Sequence, residues 1–358
     1  MANLILHDFH LGRGARFTSL GGEEVVSDYG NIETEHAALR EGASVVDLSF
    51  RGRICITGAD RARFLHGQVT NEVKGLKPGE GTYAALITAK GKMQSDLNIY
   101  NLTGELLLDF EPGLTETVTQ RLEKYIIADD VQIVDAAPHY GLLSVQGSSA
   151  RPAVSALGFS VEPPAKTFGW VSAGEPGAEV YLMNQPRLGG TGFDLFVPVM
   201  SLAEMAEKLI AAGGRLCGWE AFEMARIEAG MPRFGADMDE ANIPLEAGLE
   251  GRAVSFAKGC YIGQEVISRI HTYGEVAKAL RGLRLADDLA KLPVKGDKLM
   301  RDGKEVGYIT SALNSKALGA KVALGYVRKE ANQIGTELTL KMESGESAVR
   351  VVELPFRA

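Results

Sequence analysis

Three cysteines are all that 358 residues contain, and Cys55, Cys217 and Cys260 stand far apart with no CxxC among them. That spacing excludes a disulfide framework and a zinc ribbon, and it fits a reducing compartment. The six histidines, His7, His10, His36, His66, His139 and His271, form no HExxH or HxH pair, so no metal site is expected. There is no GxxxxGK(S/T) loop, and no GxGxxG follows an apolar strand, which argues against nucleotide enzymes. No apolar run approaches the roughly 20 residues that cross a bilayer. The opening MANLILHDFH lacks the basic start and long apolar stretch of a secretory signal. A soluble, cytoplasmic protein with no membrane partner is the expectation. Positive charge is short as well: 38 Lys and Arg face 46 Asp and Glu, for a net charge of −8. Such a surface repels phosphate backbones, so nucleic acid is not expected as the main ligand, although a local basic pocket for a small anion stays compatible.

What the chain does have is glycine, 42 residues of it, which predicts tight turns rather than long helices. Its length exceeds one ordinary core and predicts two or three domains. Asn31 is placed to cap a helix filled by residues 32–40 and closed by Gly42. Arg53 to Thr57 reads as a strand with Ile54 and Ile56 on one face, and a short helix from Arg61 to His66 is expected to stop at Gly67. Tyr83 to Ile87 and Leu97 to Tyr100 read as strands flanking the polar turn TAKGKMQSD. Val118, Leu122 and Tyr125 fall at helical spacing after Thr115. Ser201 and Glu204 make a capping-box pattern before a helix that Gly213–Gly214 ends. Another helix covers about Trp219 to Gly230. After Lys278, alternating runs meet at pairs such as Asp302–Gly303 and Ser344–Gly345, so about 280–358 reads as a small β-barrel or sandwich.

Three constellations could carry chemistry. Asp96 sits where a glycine-rich turn enters an apolar strand, placing a carboxylate at a sheet end. The plainer role there is a turn aspartate capping local amides. Arg226 projects on the same helical face as Trp219, Phe222 and Ala229. A guanidinium in that stripe needs an anionic or carbonyl partner, such as a ligand, Asp96 or Glu223, because burying it unpaired is costly. A snorkelling side chain or an internal ion pair would satisfy the same pattern. The third is KGCYIGQE, Lys258 to Glu265, where glycines let the backbone bend and a helix starts after Gly263. A thiol near a helix N-terminus and two residues from Lys258 is expected to ionise more easily. Cys55, inside a strand, and Cys217, beside Trp219, are expected as small buried hydrophobes.

KGCYIGQE resembles the signature of the YgfZ branch of the folate-binding, aminomethyltransferase-like family. RGRICITGADRARFLHGQVTN, TYAALITAKGKMQSDLNIY, RIEAGMPRFGADMDEANIPLEAGL and GQEVISRIHTYGEVAKALRGL resemble further blocks of that family in the same order. The resemblance implies an α+β ring of two α/β subdomains within residues 1–277 and a C-terminal β-barrel over 278–358, around a central channel holding tetrahydrofolate. It implies that Tyr83, Asp96 and Arg226 line the folate pocket, with Arg226 either touching folate or orienting pocket carboxylates. In the aminomethyltransferases the aspartate matching Asp96 positions or polarises the folate amine that takes up the one-carbon unit. In the YgfZ branch Cys260 is the key thiol, supported by Lys258, Gly259, Gly263, Gln264 and Glu265.

The chain departs from the glycine-cleavage enzymes in several places. It has Ser95–Asp96 where they carry two adjacent acids, and GGTGFDLF where they carry a longer TGEDGFE-like loop, so that Asp194 matches a different acid. Phe234 stands where a tyrosine is common. The expected function is therefore a tetrahydrofolate-binding protein that supports assembly or repair of iron–sulfur enzymes, with iron–sulfur client or assembly proteins as partners. The alternative is an aminomethyltransferase moving a one-carbon unit from a lipoyl carrier to tetrahydrofolate. A third reading is a folate-binding scaffold with neither activity. One cysteine does not suffice to bind a cluster, so none is expected on this chain alone.

Overall fold

The computed structural model describes residues 3–356, so the outermost ends of the two expected regions, 1–2 and 357–358, lie outside the described residues. The chain gathers into two units. One runs up to Leu86 and resumes over Ser95–Ala225; the other takes Ile87–Gln94 and everything from Arg226 onward.

The first unit has two large sheets and a two-stranded one, Arg16–Leu20 with Glu23–Asp28. The five-stranded sheet runs, in spatial order, Glu80–Ile87, Met93–Asn101, Leu106–Phe110, Gly52–Thr57 and Gln132–Asp135. Alternation decides its faces. Ile54, Ile56, Leu97, Ile99, Leu106 and Leu108 point one way and pack under Phe64 and Leu65 of helix Arg61–Gln68 and Val118 and Leu122 of helix Thr115–Glu123. The six-stranded sheet runs Trp170–Ala173, Val180–Asn184, Gly192–Pro198, Tyr140–Gln146, Ser44–Asp47 and Arg215–Leu216. Its Leu143, Val145, Phe193 and Leu195 pack against Leu202, Met205, Ala206 and Leu209 of helix Leu202–Ala211. In both sheets the opposite face mixes large apolar side chains, Tyr100, Leu107 and Phe196 among them, with buried charge.

The second unit contains a closed six-stranded barrel of Lys278–Leu285, Ala320–Arg328, Lys304–Ser315, Lys298–Arg301, Glu337–Met342 and Gly345–Val352. Leu283, Leu299, Ile309, Val327, Leu340 and Val351 fill it. Asp302 (φ 52°) and Gly303 (φ 75°) both turn left-handed between two of its strands, as a two-residue hairpin demands. Helix Gln264–Tyr273 belongs to this unit, and so does the 88–92 turn between the two hairpin strands of the first sheet.

Three local expectations are corrected. Gly67 does not stop its helix, which runs on through Gln68; a Cβ at Gly67 would meet nothing, and the chain turns extended only at Val69. Ser201 makes no capping bond, because the 3-10 turn Val199–Ser201 leads directly into the helix and Glu204 pairs with Lys208 instead. Asp96 is not a turn residue: its strand begins at Met93, so it stands inside the sheet and caps nothing local.

Candidate functional site

Much of the buried charge of the first unit lies on the sheet faces opposite those that Phe64, Val118 and Leu202 cover. Arg53, Asp109 and Asn98 are register partners across three adjacent strands. Side chains repeat every second residue, so the same register carried two residues further sets Arg51, Glu111 and Asp96 in a second row on that face. Tyr83, on the strand beyond, completes the row by donating its hydroxyl to Asp96 Oδ2 at 2.8 Å.

Arg51 binds both rows. Its Nε reaches Asp109 Oδ1 at 2.7 Å and its Nη1 pairs with Glu111. Arg187, between two strands of the other sheet, reaches Asp109 Oδ2 at 2.8 Å and Asp194 Oδ2 at 2.6 Å. Asn98 donates to Asp109 at 2.7 Å, and Ser144 donates to Asp194 at 2.7 Å. Burial alone would raise Asp109, but Arg187 and Arg51 outweigh it and hold that carboxyl well below the usual range. Asp194 goes the other way, since its burial outweighs Arg187. Arg53 is fully enclosed; its guanidinium donates to the Arg51 and Ser49 carbonyls, and burial lowers its pKa to about 10.

Asp96 differs from its neighbours. The residue is half-buried, yet its Oδ1 is enclosed and has no hydrogen-bond partner among the described residues. Enclosed carboxylate oxygens normally find donors, and an unmade bond of this kind costs about 1–3 kcal/mol. Burial and then the Glu111 carboxylate push Asp96 up to about 6, against the Tyr83 bond and Arg51, which pull it down. A carboxyl of that basicity can take a proton near neutrality or accept a hydrogen bond from an amine.

The structure thus brings Tyr83 and Asp96 into direct contact. Arg226 lies in the second unit, 4% exposed, where it pairs with Asp237 and donates to Ser311 at 2.9 Å. Its carboxylate is thus one that the spacing along its own helix could not point to. In the KGCYIGQE segment, Cys260 is exposed, and Lys258 is buried with its Nζ 4.8 Å from the centre of the Tyr261 ring. Gly259 precedes that thiol, and Gln264 and Glu265 open the helix behind Gly263. Gly263 has φ +83°, and a Cβ there would come within 2.5 Å of the Thr88 carbonyl, so only glycine fits. Burial raises the Cys55 and Cys217 thiols, in keeping with packing roles. No cluster of three or more metal-ligating side chains occurs among the described residues, and no helix there is long and apolar enough to cross a membrane.

Arg51, Asp109, Glu111, Arg187 and Asp237 escaped sequence reasoning. One signal was present: two acids two residues apart, Asp109 and Glu111, within the apolar run LLLDFE, both buried.

Residues 6–258 match the GCVT N-terminal domain, and residues 278–357 match the glycine cleavage T-protein C-terminal barrel domain. The chain belongs to the glycine cleavage T-protein family. It is 29% identical to an aminomethyltransferase of Thermosynechococcus vestitus, over 97% of this chain and 94% of the relative. It is 28% identical to an aminomethyltransferase of Bacillus subtilis, over 98% of each. The crystal structure of the glycine cleavage system aminomethyltransferase T from Bartonella henselae has the same fold, with a TM-score of 0.90 at 23% identity over 99% of this chain and 98% of that one. The T-protein barrel domain coincides with the six-stranded barrel described above. These T-protein relatives carry the name of the transferase and not of the iron–sulfur branch that KGCYIGQE resembles.

Proposed function

We propose that this chain binds tetrahydrofolate and transfers an aminomethyl one-carbon unit to it from a lipoyl carrier protein. The observation that carries this reading is the enclosed, unpartnered Oδ1 of Asp96 on a carboxyl of raised basicity. Tetrahydrofolate, when bound, supplies the amine that takes up the one-carbon unit. Asp96 Oδ1 would accept the N–H of that amine, while the Tyr83 hydroxyl on Oδ2 fixes the carboxyl's orientation. As the nitrogen forms its bond to the carbon, the carbon–sulfur bond to the lipoyl carrier breaks with its electron pair leaving on sulfur; the nitrogen's proton must leave too, and Asp96 is the base placed to receive it. Arg226, with its guanidinium engaged by Asp237 and Ser311, serves by holding the 231–238 loop. The same proposal takes residues 1–277 as the folate-binding region and 278–358 as the barrel. The transferase names of the relatives weigh for this reading over iron–sulfur maintenance.

Anaerobic calorimetric titration of tetrahydrofolate tests it. The wild type should bind, and Asp96→Asn should bind about tenfold or more weakly, roughly 1.4 kcal/mol or more. No binding by the wild type would overturn the reading. Binding without turnover on a lipoyl carrier would remove the transfer step alone.

One observation favours a second reading. Cys260 is exposed within KGCYIGQE, while the chain's other two thiols are wholly or partly buried. A folate-dependent factor for iron–sulfur enzymes would use such a thiol toward client or assembly proteins. If Cys260→Ala fully restored iron–sulfur enzyme activity in cells lacking the protein, that reading would fail.

A further inference from the structure

Glu111 was singled out by no motif, yet it stands beside the most unusual carboxyl in the molecule. It lies one residue beyond strand Leu106–Phe110, and continuing the cross-strand register in which Asn98 faces Asp109 by two residues sets it opposite Asp96. Residues so placed have Cβ atoms roughly 4.5–5.5 Å apart, and like charges there oppose each other. The conflict is not relieved by solvent, because Glu111 is 6% exposed and Arg51, on its other side, 7%. Nor can Glu111 readily turn away, since Arg51 pairs with it while anchored on Asp109. The groups facing Asp96 are therefore Tyr83, Glu111 and Arg51, one donor, one anion and one cation that is already shared. Across the wider face, the guanidiniums of Arg51, Arg53 and Arg187 meet the carboxyls of Asp96, Asp109, Glu111 and Asp194. Asp109 is clamped by two arginines and Asp194 by Arg187 and Ser144. Of these acids, Asp96 has an enclosed oxygen with no partner among the described residues.

We propose that Glu111 is a positioning residue for Asp96: Arg51 pins its carboxylate in the cross-strand place beside Asp96, and that fixed negative charge makes Asp96 the proton acceptor of the pair. This rests on the reading that Asp96 receives the amine proton of tetrahydrofolate, and it assigns the origin of that capacity. A fixed anion acts without touching the ligand, so Glu111 changes proton affinity and leaves the contacts of Oδ1 to others.

The test is an infrared titration of the ligand-free protein with isotope-labelled aspartate, which separates aspartic from glutamic carbonyl bands. In the wild type a protonated aspartic band should titrate with a midpoint of about 6, and Asp96→Asn should abolish it. In Glu111→Gln, which keeps shape and loses charge, the midpoint should fall by about one unit, a tenfold loss of proton affinity. Glu111→Asp retains the charge one methylene further back and should restore part of the shift, a rescue that a purely structural role would not produce. It also serves if the glutamine variant fails to fold. An unmoved midpoint in both variants, or a band that survives Asp96→Asn, would overturn the proposal. Tetrahydrofolate titrated into the same samples separates the two ideas. A midpoint that moves as expected with no folate binding would sink the function and spare the Glu111 assignment; binding with an identical pH profile in wild type and Glu111→Gln would do the reverse.

Discussion

Asp96 in the first unit and Asp237 in the second are both shielded aspartates, and their surroundings could hardly differ more. Asp237 Oδ1 accepts from Thr310 at 2.6 Å and Ser311 at 2.7 Å, while Oδ2 takes Arg226 and the Arg233 amide at 3.2 Å. Asp96 has Tyr83 on one oxygen, no hydrogen-bond partner among the described residues on the other, and a second acid beside it. A carboxylate whose every oxygen has a donor holds a loop in place. One left short of donors lowers the stability of the ligand-free fold, and such strain persists where a site is kept ready for a partner.

Removing Asp237 should do most to break this contrast. Asp237→Ala leaves the enclosed Arg226 without its anion and should cost about 3–5 kcal/mol in urea unfolding; a loss within 1 kcal/mol would mean that Arg226 is not held there. Asp96→Asn should have the opposite sign. Its raised folded-state pKa means that the native protein binds the proton more tightly than the unfolded chain, so stability declines as pH rises from about 4 to about 6 and stays lower above. The asparagine variant should therefore be more stable than wild type by about 1–2 kcal/mol at pH 8, with the gain gone at pH 4. Asp109 is depressed, so its contribution is present above the ordinary carboxylate range and lost as pH falls below it. Acid unfolding of Asp109→Asn should accordingly be flatter than that of wild type below pH ~4. The smallest effect belongs to the barrel surface, where Arg350 and Glu337, 60% and 74% exposed, meet at 2.9 Å. Arg350→Ala should change stability by less than about 0.5 kcal/mol, and a larger change would mean that exposure is a poor guide to these pairs.

Much of the scaffold was legible because short-range rules govern it. Asn31 does accept the Thr34 amide, Ile54 and Ile56 do share a buried face, and Asp302–Gly303 does turn a barrel hairpin. The rules failed where a neighbour in space competed. Ser201 had the right partner in sequence, but the preceding turn took its place and Lys208 took Glu204. Asp96 stood out from its place between a polar turn and an apolar strand, but Tyr83 was reached only through resemblance, since their contact spans two strands. Arg51, Glu111 and Arg187 were out of reach because register, not spacing, makes them neighbours. The acids embedded in LLLDFE were the one local sign that this sheet has a charged inner face.

The hairpin whose arms belong to the first unit keeps its tip in the second. There, within the second unit, Lys92 Nζ donates to the Ala241 carbonyl at 2.6 Å, the Met93 amide donates to the Asn242 carbonyl at 2.9 Å, Gly91 lies against Val266, and Gly263 lies against the Thr88 carbonyl. On the ribosome that tip emerges roughly 150 residues ahead of its partners, a wait of roughly 7–30 s at usual elongation rates of about 5–20 residues per second. Neither unit can therefore be cut out as one uninterrupted stretch of gene, and a truncation after Ala225 would leave the 88–92 turn with its bonding groups open to water or to other chains.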